Sequence, residues 1–311
     1  MNMFLETFFQ DLLNALQWGS FYALIALGYT MVYGVLLLIN FAHGDIFMVG
    51  AYVGFFIASF LLGRNGSFPP GLPPAVVFCL TVTLTMVITS GVGIAIERIA
   101  YRPLRRKGAS RLYLVITALM CGLILENGNL ALLGASRRSF PELLSNTAYN
   151  IGGVTFTNVK VLVVLTTVLV FVVLETIVRK TRIGMAMRAI SYDRMAVPLM
   201  GIPLDTVIVF TFVMGSSMAA LAGVLFAIAY PVLDPYMGAL VGWKAFIAAV
   251  LGGIGEIRGA IAGGFLLGFV EIFVAAFFPS TLRDLIAFSI LLAFLSMRPT
   301  GIFGVARATK I

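Results

Sequence analysis

RKTRIGMAMRAISYDRMAVPLMGIPLD, residues 179–205, is the longest polar run between two strongly apolar stretches of this chain. It carries five basic and two acidic residues, and Pro203 stands near its end. A charged side chain at the centre of a bilayer costs about 2.5 to 3.5 kcal/mol on insertion scales, so this run cannot be a membrane span. It therefore predicts a short helical element on the cytoplasmic surface, between two spans, where another protein can contact it.

The composition places the rest of the chain in a membrane. Of its 311 residues, 60% are hydrophobic and 11% are charged, and this charged share is about half that of a soluble domain. A span needs about 20 apolar residues, so the charges mark the ends of the spans. The predicted fold class is an all-α, polytopic helical membrane protein. One transmembrane domain covers residues 1–311, with about eight to ten segments, some of them broken or re-entrant.

The apolar segments divide the chain in order. The uncharged stretch between Asp11 and His43 is too long for one straight span, and the polar, small-residue cluster at 40–45 predicts a break in it. Further spans are predicted at 46–62, 75–96, 112–133, 159–178, 207–229, 240–251, 260–278 and 285–297. Between them we expect an irregular loop at 63–74, a basic loop at 98–111 and a polar external loop at 135–158.

Lysine and arginine counts give an orientation. With the two basic loops, the C-terminal tail and Arg258 inside, the cytoplasmic side collects fifteen of the 21 Lys and Arg residues. Cytoplasmic loops carry the excess of such residues. The bias predicts an N-terminus outside and a cytoplasmic C-terminus, for nine crossings.

Several function classes find no support in the residues. The net charge of +8 comes from short clusters between spans, not from one basic face, so it does not indicate nucleic-acid binding. Two cysteines without a CxxC pair and a single histidine predict neither a zinc site nor a disulfide framework. The sequence also lacks GxxxxGK[ST], HExxH and GxSxG motifs, so nucleotide hydrolysis would need another chain.

Five motifs occur in a fixed order along almost the whole chain. They are VYGVLLLINFAHGDIFMVGAY (32–52), IERIAYRPLRR (96–106), RAISYDRMAVPLMGI (188–202), GWKAFIAAVLGGIGEIRGAIAGG (242–264) and RPTGIFG (298–304). Together they resemble the LivH-type permease subunit of branched-chain amino-acid ABC importers. The pattern departs from that family at Arg258, which replaces a proline, at Pro198 inside the expected coupling helix, and at Glu126 within a span.

The resemblance implies a transport role in the cell inner membrane. An extracytoplasmic binding protein would hand over leucine, isoleucine or valine, and alternating access would move the substrate inward. The resemblance also implies a second homologous permease and two cytoplasmic ATPase subunits as partners. ATP would bind those subunits, so this chain would be no enzyme and would hold no cofactor.

For residues 179–205 the resemblance implies a coupling loop against which an ATPase docks. Its candidate residues are Arg188, Asp193, Arg194, Met200 and Gly201. Asp193 is a suitable N-cap for a helix over 194–200, and Gly201 supplies a left-handed residue after it. The alternative is a basic loop that only fixes topology and touches anionic membrane lipid.

Two further groups are candidates for the translocation pathway. Asn40, His43 and Asp45 either line the path in an unwound segment or form a tight inner turn. Lys244 and Glu271 fall inside spans, where unpaired charges are costly. We expect this second group to pair, with Arg283 nearby; recognition of the ammonium or carboxylate of the substrate is the alternative.

Two other functions remain open at this stage. Within the same family, the substrate would be urea or a short amide. Outside it, an ion-coupled secondary transporter would need acids in mid-membrane, and Glu126 and Glu271 are the two acids deep inside spans.

Overall fold

The computed structural model describes residues 2–63, 73–194 and 196–304. The larger elements are helices, in chain order α1 (Asn2–Leu36), α2 (His43–Leu62), α3 (Pro74–Ala95), α4 (Arg102–Arg106), α5 (Arg111–Leu133), α6 (Asn158–Lys180), α7 (Arg182–Tyr192), α8 (Ala196–Leu199), α9 (Leu204–Ala229), α10 (Met237–Gly252), α11 (Ile257–Phe277) and α12 (Arg283–Met297). One π-helical turn (Ile96–Tyr101) joins α3 to α4, and a 3₁₀ turn (Ser280–Leu282) precedes α12.

Within the described residues, four short strands form two small antiparallel sheets. The strands are β1 (Arg138–Ser139), β2 (Ala148–Ile151), β3 (Val154–Thr157) and β4 (Val232–Leu233). β1 pairs with β4, and β2 pairs with β3. β1, β2 and β3 lie within the predicted polar loop at 135–158.

The predicted membrane fold is confirmed by helix length and composition. Seven helices in the described part of the chain are long and apolar enough to span a bilayer, and each corresponds to an apolar segment predicted from the sequence. α10 has 16 residues and α12 has 15. At 1.5 Å per residue these two are shorter than the roughly 30 Å hydrocarbon core.

The predicted basic loop at 98–111 is wrong over most of its length. The chain continues from α3 as a helix through the π-helical turn and α4 to Arg106, and a turn of four residues then leads to α5. Helix is retained here because Glu97 and Asp205 pair with the arginines that would otherwise repel one another.

The break predicted in the first apolar stretch is confirmed. α1 ends at Leu36, and Leu37 follows with a left-handed φ of 54° while its N–H donates to the Tyr33 carbonyl at 2.8 Å. α2 begins at His43. The non-helical residues are therefore 37–42, which begin three positions before the predicted break. A left-handed residue ends a helix because it turns the chain away from the helix axis.

The Cα packing divides the chain into two compact units. Unit 1 comprises residues 1–30, 146–176 and 244–311, and unit 2 comprises residues 31–145 and 177–243. The expectation of one transmembrane domain over residues 1–311 stays a prediction.

Small residues bring the helices of unit 2 together. A Cβ on Gly50 of α2 would lie 2.6 Å from the Cα of Ala220 on α9, so only glycine fits there. On α3, one turn apart, Thr81, Thr85 and Thr89 are fully buried. Backbones that approach this closely gain van der Waals contact, which drives helix association where lipid removes the hydrophobic effect.

Unit 1 uses the same device between α1 and α11. A Cβ on Gly264 would lie 2.5 Å from the Cα of Ala23, and Gly268 packs on the backbone of Gly19. The rings of Tyr29 and Phe246 lie 5.8 Å apart at their centres and fill the space beside α10.

Two parts of the predictions lie outside the described residues. They are positions 64–72, which make up most of the predicted irregular loop at 63–74, and position 195 inside the predicted coupling helix.

Candidate functional site

The residues of the helix break are buried or half-buried in unit 2. The Oδ1 of Asn40 accepts a hydrogen bond from the Tyr101 hydroxyl at 3.2 Å, and the Asn40 carbonyl accepts one from the His43 N–H at 3.0 Å. The side chains of Asn40 and His43 are almost completely inaccessible. Asn40 thus stabilises the break through its carbonyl, which binds the His43 N–H, and through its side chain, which binds Tyr101 of the π-helical turn.

Asp45 follows in the first turn of α2, with only 9% of its surface exposed. Two glycines from other helices make room for its carboxylate. A Cβ on Gly122 of α5 would lie 2.5 Å from Oδ2, and one on Gly238 of α10 would lie 2.8 Å from Oδ1. Within the described residues, Oδ1 has no hydrogen-bond partner. A buried carboxylate oxygen without a partner is costly, so a ligand that donates a hydrogen bond would gain here.

Glu126 on α5 repels Asp45 electrostatically. Its side chain is half-buried. A positively charged group between the two acids would therefore be favoured. Glu126, whose role the sequence does not explain, therefore interacts electrostatically with Asp45 within unit 2.

The predicted pair of Lys244 and Glu271 is confirmed in unit 1. The Nζ of Lys244 lies 2.6 Å from Oε1 of Glu271 and 2.8 Å from Oδ1 of Asp284. The Tyr22 hydroxyl donates to Oε2 of Glu271 at 2.6 Å. Arg283, expected nearby, pairs with Asp284 at 3.2 Å. The charges of this cluster neutralise one another, which is what a buried ionic group requires.

The five pathway candidates therefore do not all belong to one unit. Asn40, His43 and Asp45 are in unit 2, whereas Lys244 and Glu271 are in unit 1.

The predicted coupling segment folds as two short helices. α7 buries Gly184, Met187 and Ile190, which share one face, and exposes Arg182 and Met185. Thr181 caps it, because its Oγ1 accepts from the Gly184 N–H at 3.2 Å. Spacings of three residues put these buried side chains on one stripe.

The caps predicted for the second helix are confirmed, although α8 is shorter than the predicted 194–200. The Asp193 carboxylate accepts from the Ala196 N–H at 3.1 Å, and Gly201 has a left-handed φ of 76°. The Gly201 N–H donates to the Pro198 carbonyl at 3.0 Å. Pro198 falls in the first turn of α8, where a missing N–H does no harm.

The arginines of this segment have contacts that the sequence does not reveal. The Arg188 guanidinium donates to the Val178 carbonyl, and that of Arg194 donates to the Leu36 carbonyl at the end of α1. Arg194 thus ties the coupling segment to the helix break, both of them within unit 2.

An exposed apolar surface accompanies these charges. The large side chains of Tyr192, Leu199 and Met200 are 83%, 90% and 76% exposed. A contiguous exposed apolar patch rimmed by polar residues marks an interaction site.

Sequence reasoning missed an ionic cluster in which α4 meets the start of α9. The Arg105 guanidinium lies 2.9 Å from the fully buried Glu97 and 2.6 Å from Asp205, and Arg106 lies 2.7 Å from Asp205. Arg102 lies 3.4 Å from Glu97. The motif IERIAYRPLRR contains the signal, since a helix brings an acid near arginines that follow it, but its basic composition predicts a loop instead.

Arg258, the unusual charge at the glycine-rich turn, also has a partner. Its guanidinium lies 2.7 Å from Glu175 of α6, within unit 1. Gly253 and Gly255 of the same turn have left-handed φ angles of 103° and 99°. The arginine is therefore accommodated without loss of the turn.

Known proteins match this chain over almost its whole length. Residues 12–295 match the family described as branched-chain amino acid transport system, permease component. The chain is 41% identical to the high-affinity branched-chain amino acid transport system permease protein BraD of Pseudomonas aeruginosa, over 98% of each chain. It is 39% identical to the corresponding LivH of Escherichia coli, again over 98% of each. No solved structure matches.

A more distant relative is found in an archaeon. The probable branched-chain amino acid transport permease protein LivH of Methanocaldococcus jannaschii is 27% identical, over 94% of this chain and 91% of its own.

Proposed function

This chain belongs to the family of branched-chain amino acid transport system permease components, and we propose that it is the permease subunit of an ATP-driven importer of leucine, isoleucine and valine. The observation that carries the proposal is the 41% identity to a permease of that description over 98% of both chains. The substrate would enter the cytoplasm by alternating access.

The partners follow from this assignment. The sequence has no phosphate-binding loop, so ATP would bind to two separate cytoplasmic ATPase subunits. A second homologous permease and an extracytoplasmic binding protein would complete the importer in the cell inner membrane. The excess of Lys and Arg in the basic segments supports an N-terminus outside and a cytoplasmic C-terminus.

The coupling segment would receive the ATPase. Support comes from the exposed side chains of Tyr192, Leu199 and Met200, beside Arg188 and the capped α8. Arg194, Asp193 and Gly201 would position this surface. A movement of α7 and α8 would then reach the helix break through the contact of Arg194 with Leu36.

The helix break would line the substrate path. Backbone that leaves the helix at membrane depth is tolerated only where it faces protein or water. Asp45 supports the assignment, because a carboxylate with an unpartnered Oδ1 suits the ammonium group of an amino acid. Asn40 and His43 would hold the break in shape. Lys244 and Glu271 would serve as an ion pair within unit 1 rather than bind the substrate, and their 2.6 Å contact supports this.

Uptake by the native host tests the substrate. Deletion of the gene should abolish high-affinity uptake of labelled leucine, isoleucine and valine, and the intact gene should restore it. If the deletion leaves leucine uptake unchanged and abolishes urea uptake, the substrate is urea or a short amide. Purification in mild detergent should retain a second permease and an ATPase; a homo-oligomer that transports without ATP would overturn the importer assignment.

Thiol labelling tests the path. In a background of Cys79→Ser and Cys121→Ser, Ala42→Cys should react with a small charged thiol reagent in the assembled importer, and substrate should slow the reaction. A cysteine that stays unreactive throughout turnover would assign residues 37–42 to a structural turn.

A further inference from the structure

A cavity of about 440 Å³ lies in unit 2. Three parts of the chain form its wall: the end of α1 with the start of the break, the turn between α4 and α5, and the end of α7. The lining includes apolar side chains, among them Leu37 of the break and Leu114 of α5, and charged side chains from near the α4–α5 turn and from the end of α7. The cavity therefore offers both a polar and an apolar wall to an occupant.

The polar wall is strongly positive. Arg105, Arg111 and Arg194 line it, and Asp193 is the one acid among the described lining residues. The Asp193 carboxylate accepts a hydrogen bond from the N–H of Ala196, so part of its capacity is already used. Three guanidinium groups against one carboxylate favour an anion in the cavity.

The three arginines do not contribute equally. Arg105 is held by Glu97 at 2.9 Å and by Asp205 at 2.6 Å, so its charge is already balanced. Arg111 opens α5 and is exposed, and Arg194 is half-buried. These two supply the positive charge that the cavity offers.

Arg194 is electrostatically disfavoured in its present position. Burial lowers the pKa of its guanidinium, and the charges of Arg105 and Arg111 lower that pKa further. An arginine stays protonated in proteins, so it cannot relieve this cost by losing a proton. An anion between Arg111 and Arg194 would offset the cost.

The surroundings of the cavity favour a lipid over other anions. Next to Arg111, the side chains of Leu112 and Tyr113 are 65% and 62% exposed, and Ile116 is exposed one turn further along α5. A free phosphate makes no apolar contact with this face, and an acidic peptide makes few such contacts. A phospholipid uses both parts, because its headgroup is anionic and its acyl chains are apolar. Basic pockets at the ends of membrane helices bind such headgroups.

We propose that this cavity binds the phosphate group of an anionic phospholipid, which Arg111 and Arg194 hold while the acyl chains lie along the exposed face of α5. The bound lipid would touch the end of α7, and so its presence would stabilise the coupling segment. This inference requires that the chain spans a membrane, and it is independent of the transported substrate.

Lipid-dependent thermal stability of the purified full chain in a neutral maltoside detergent tests the proposal. Phosphatidylglycerol should raise the unfolding temperature in a saturable way, and phosphatidylcholine with the same acyl chains should not. Arg111→Gln and Arg194→Gln should each weaken the apparent affinity about fivefold. Lys107→Gln is the matched control, because it removes one positive charge from the same turn outside the cavity wall, and its affinity should equal that of the parent.

Four results would overturn the proposal. Equal stabilisation by the two lipids would show that they act only by unspecific solvation. An affinity equal to that of the parent in both arginine variants would show that Arg111 and Arg194 do not bind the lipid. A full stabilisation by millimolar inorganic phosphate alone would make this a free-anion site. If no lipid binds, and if the ATPase co-purifies with the parent but not with Arg194→Gln, the cavity binds an acidic segment of a partner instead. Arg111→Gln keeps the test valid if Arg194→Gln fails to fold, because Arg194 also donates to Leu36.

Discussion

The Nζ of Lys244 lies 2.6 Å from Oε1 of Glu271, and the two side chains are 13% and 3% exposed. Neither charge is isolated, since Asp284 and the Tyr22 hydroxyl complete their coordination. The pair joins residues 244–252 of α10 to α11 within unit 1.

Removal of one partner from this pair should destabilise the chain. Lys244→Met leaves the buried Glu271 without its cation, which costs about 3 to 5 kcal/mol, and the double variant should lose less than Lys244→Met alone. Glu271→Met should cost less than Lys244→Met, because Lys244 keeps Asp284 at 2.8 Å. Thermal unfolding of the purified chain measures this. Arg137→Met removes an exposed pair with Asp234 and should cost under about 1 kcal/mol. Losses that simply add in the double variant would show that the pair is not coupled.

The contact between Gly122 and Asp45 predicts a rescue. Gly122→Ala should reduce the yield of folded protein, since the added Cβ would lie 2.5 Å from Oδ2 of Asp45 and its other near neighbour is 3.5 Å away. Asp45→Ala removes the obstacle and should restore the yield of Gly122→Ala. Gly128→Ala on the same helix meets nothing within 4 Å and is the control. Size-exclusion profiles after detergent extraction report the yield. A double variant as poorly folded as Gly122→Ala would contradict the geometry.

Gly238→Ala should not be rescued in the same way. Its Cβ would lie 2.8 Å from Oδ1 of Asp45 but also 2.9 Å from the carbonyl of Gly44, and a backbone atom cannot move aside as a side chain can. We therefore expect the folded yield of Gly238→Ala to stay low in an Asp45→Ala background. Full recovery there would mean that α10 shifts freely against α2.

Two neighbouring arginines should differ in their effect on stability. Arg105→Gln removes the nearest cation from the buried Glu97, which keeps only Arg102 at 3.4 Å, so the cost should exceed about 1 kcal/mol and approach the roughly 3 to 5 kcal/mol of an unpaired buried charge. Arg106→Gln breaks an exposed pair with Asp205 and should cost at most about 1 kcal/mol. The unfolding temperatures of both variants measure this difference in stability. Similar values for the two would show that burial of Glu97 is not what gives Arg105 its importance.

The left-handed conformation of Gly201 predicts which substitutions reduce transport. Gly201→Val should lower leucine uptake, because a left-handed φ costs a residue with a Cβ about 1 to 2 kcal/mol and would distort the end of α8. Gly201→Asn tolerates that conformation and should retain uptake. Nothing lies within 4 Å of the added Cβ, so a loss in the valine variant is conformational. An immunoblot should show equal amounts of both variants in the membrane. Normal leucine uptake in the valine variant would show that transport does not depend on the conformation at the end of α8.

The sequence predicts the helices of this protein well because charge and apolar length set their ends. The break before His43, the caps at Asp193 and Gly201, and the pair of Lys244 and Glu271 follow from local rules or from the cost of an isolated charge. Each of these arguments needs only neighbouring residues or one depth in the membrane.

Contacts between distant parts of the chain were not predictable in this way. Arg105 and Asp205 are 100 positions apart, and Tyr22 and Glu271 are 249 apart, so periodicity does not connect them. The chain has 32 glycines, and nothing local distinguishes Gly122 and Gly238 as the two that border Asp45. Helix packing decides which residues meet, and that information is spread over the whole sequence.

The close contact of α2 with α9 has a consequence for mutational surveys. Gly50, Gly223 and Ala220 are already alanine or smaller, so alanine scanning has almost nothing to remove at this interface and would score it as tolerant. The opposite survey, which enlarges each position by one methyl group at a time, would meet backbone atoms at once. Sensitivity to enlargement, and not to truncation, is therefore the measure that would map this interface.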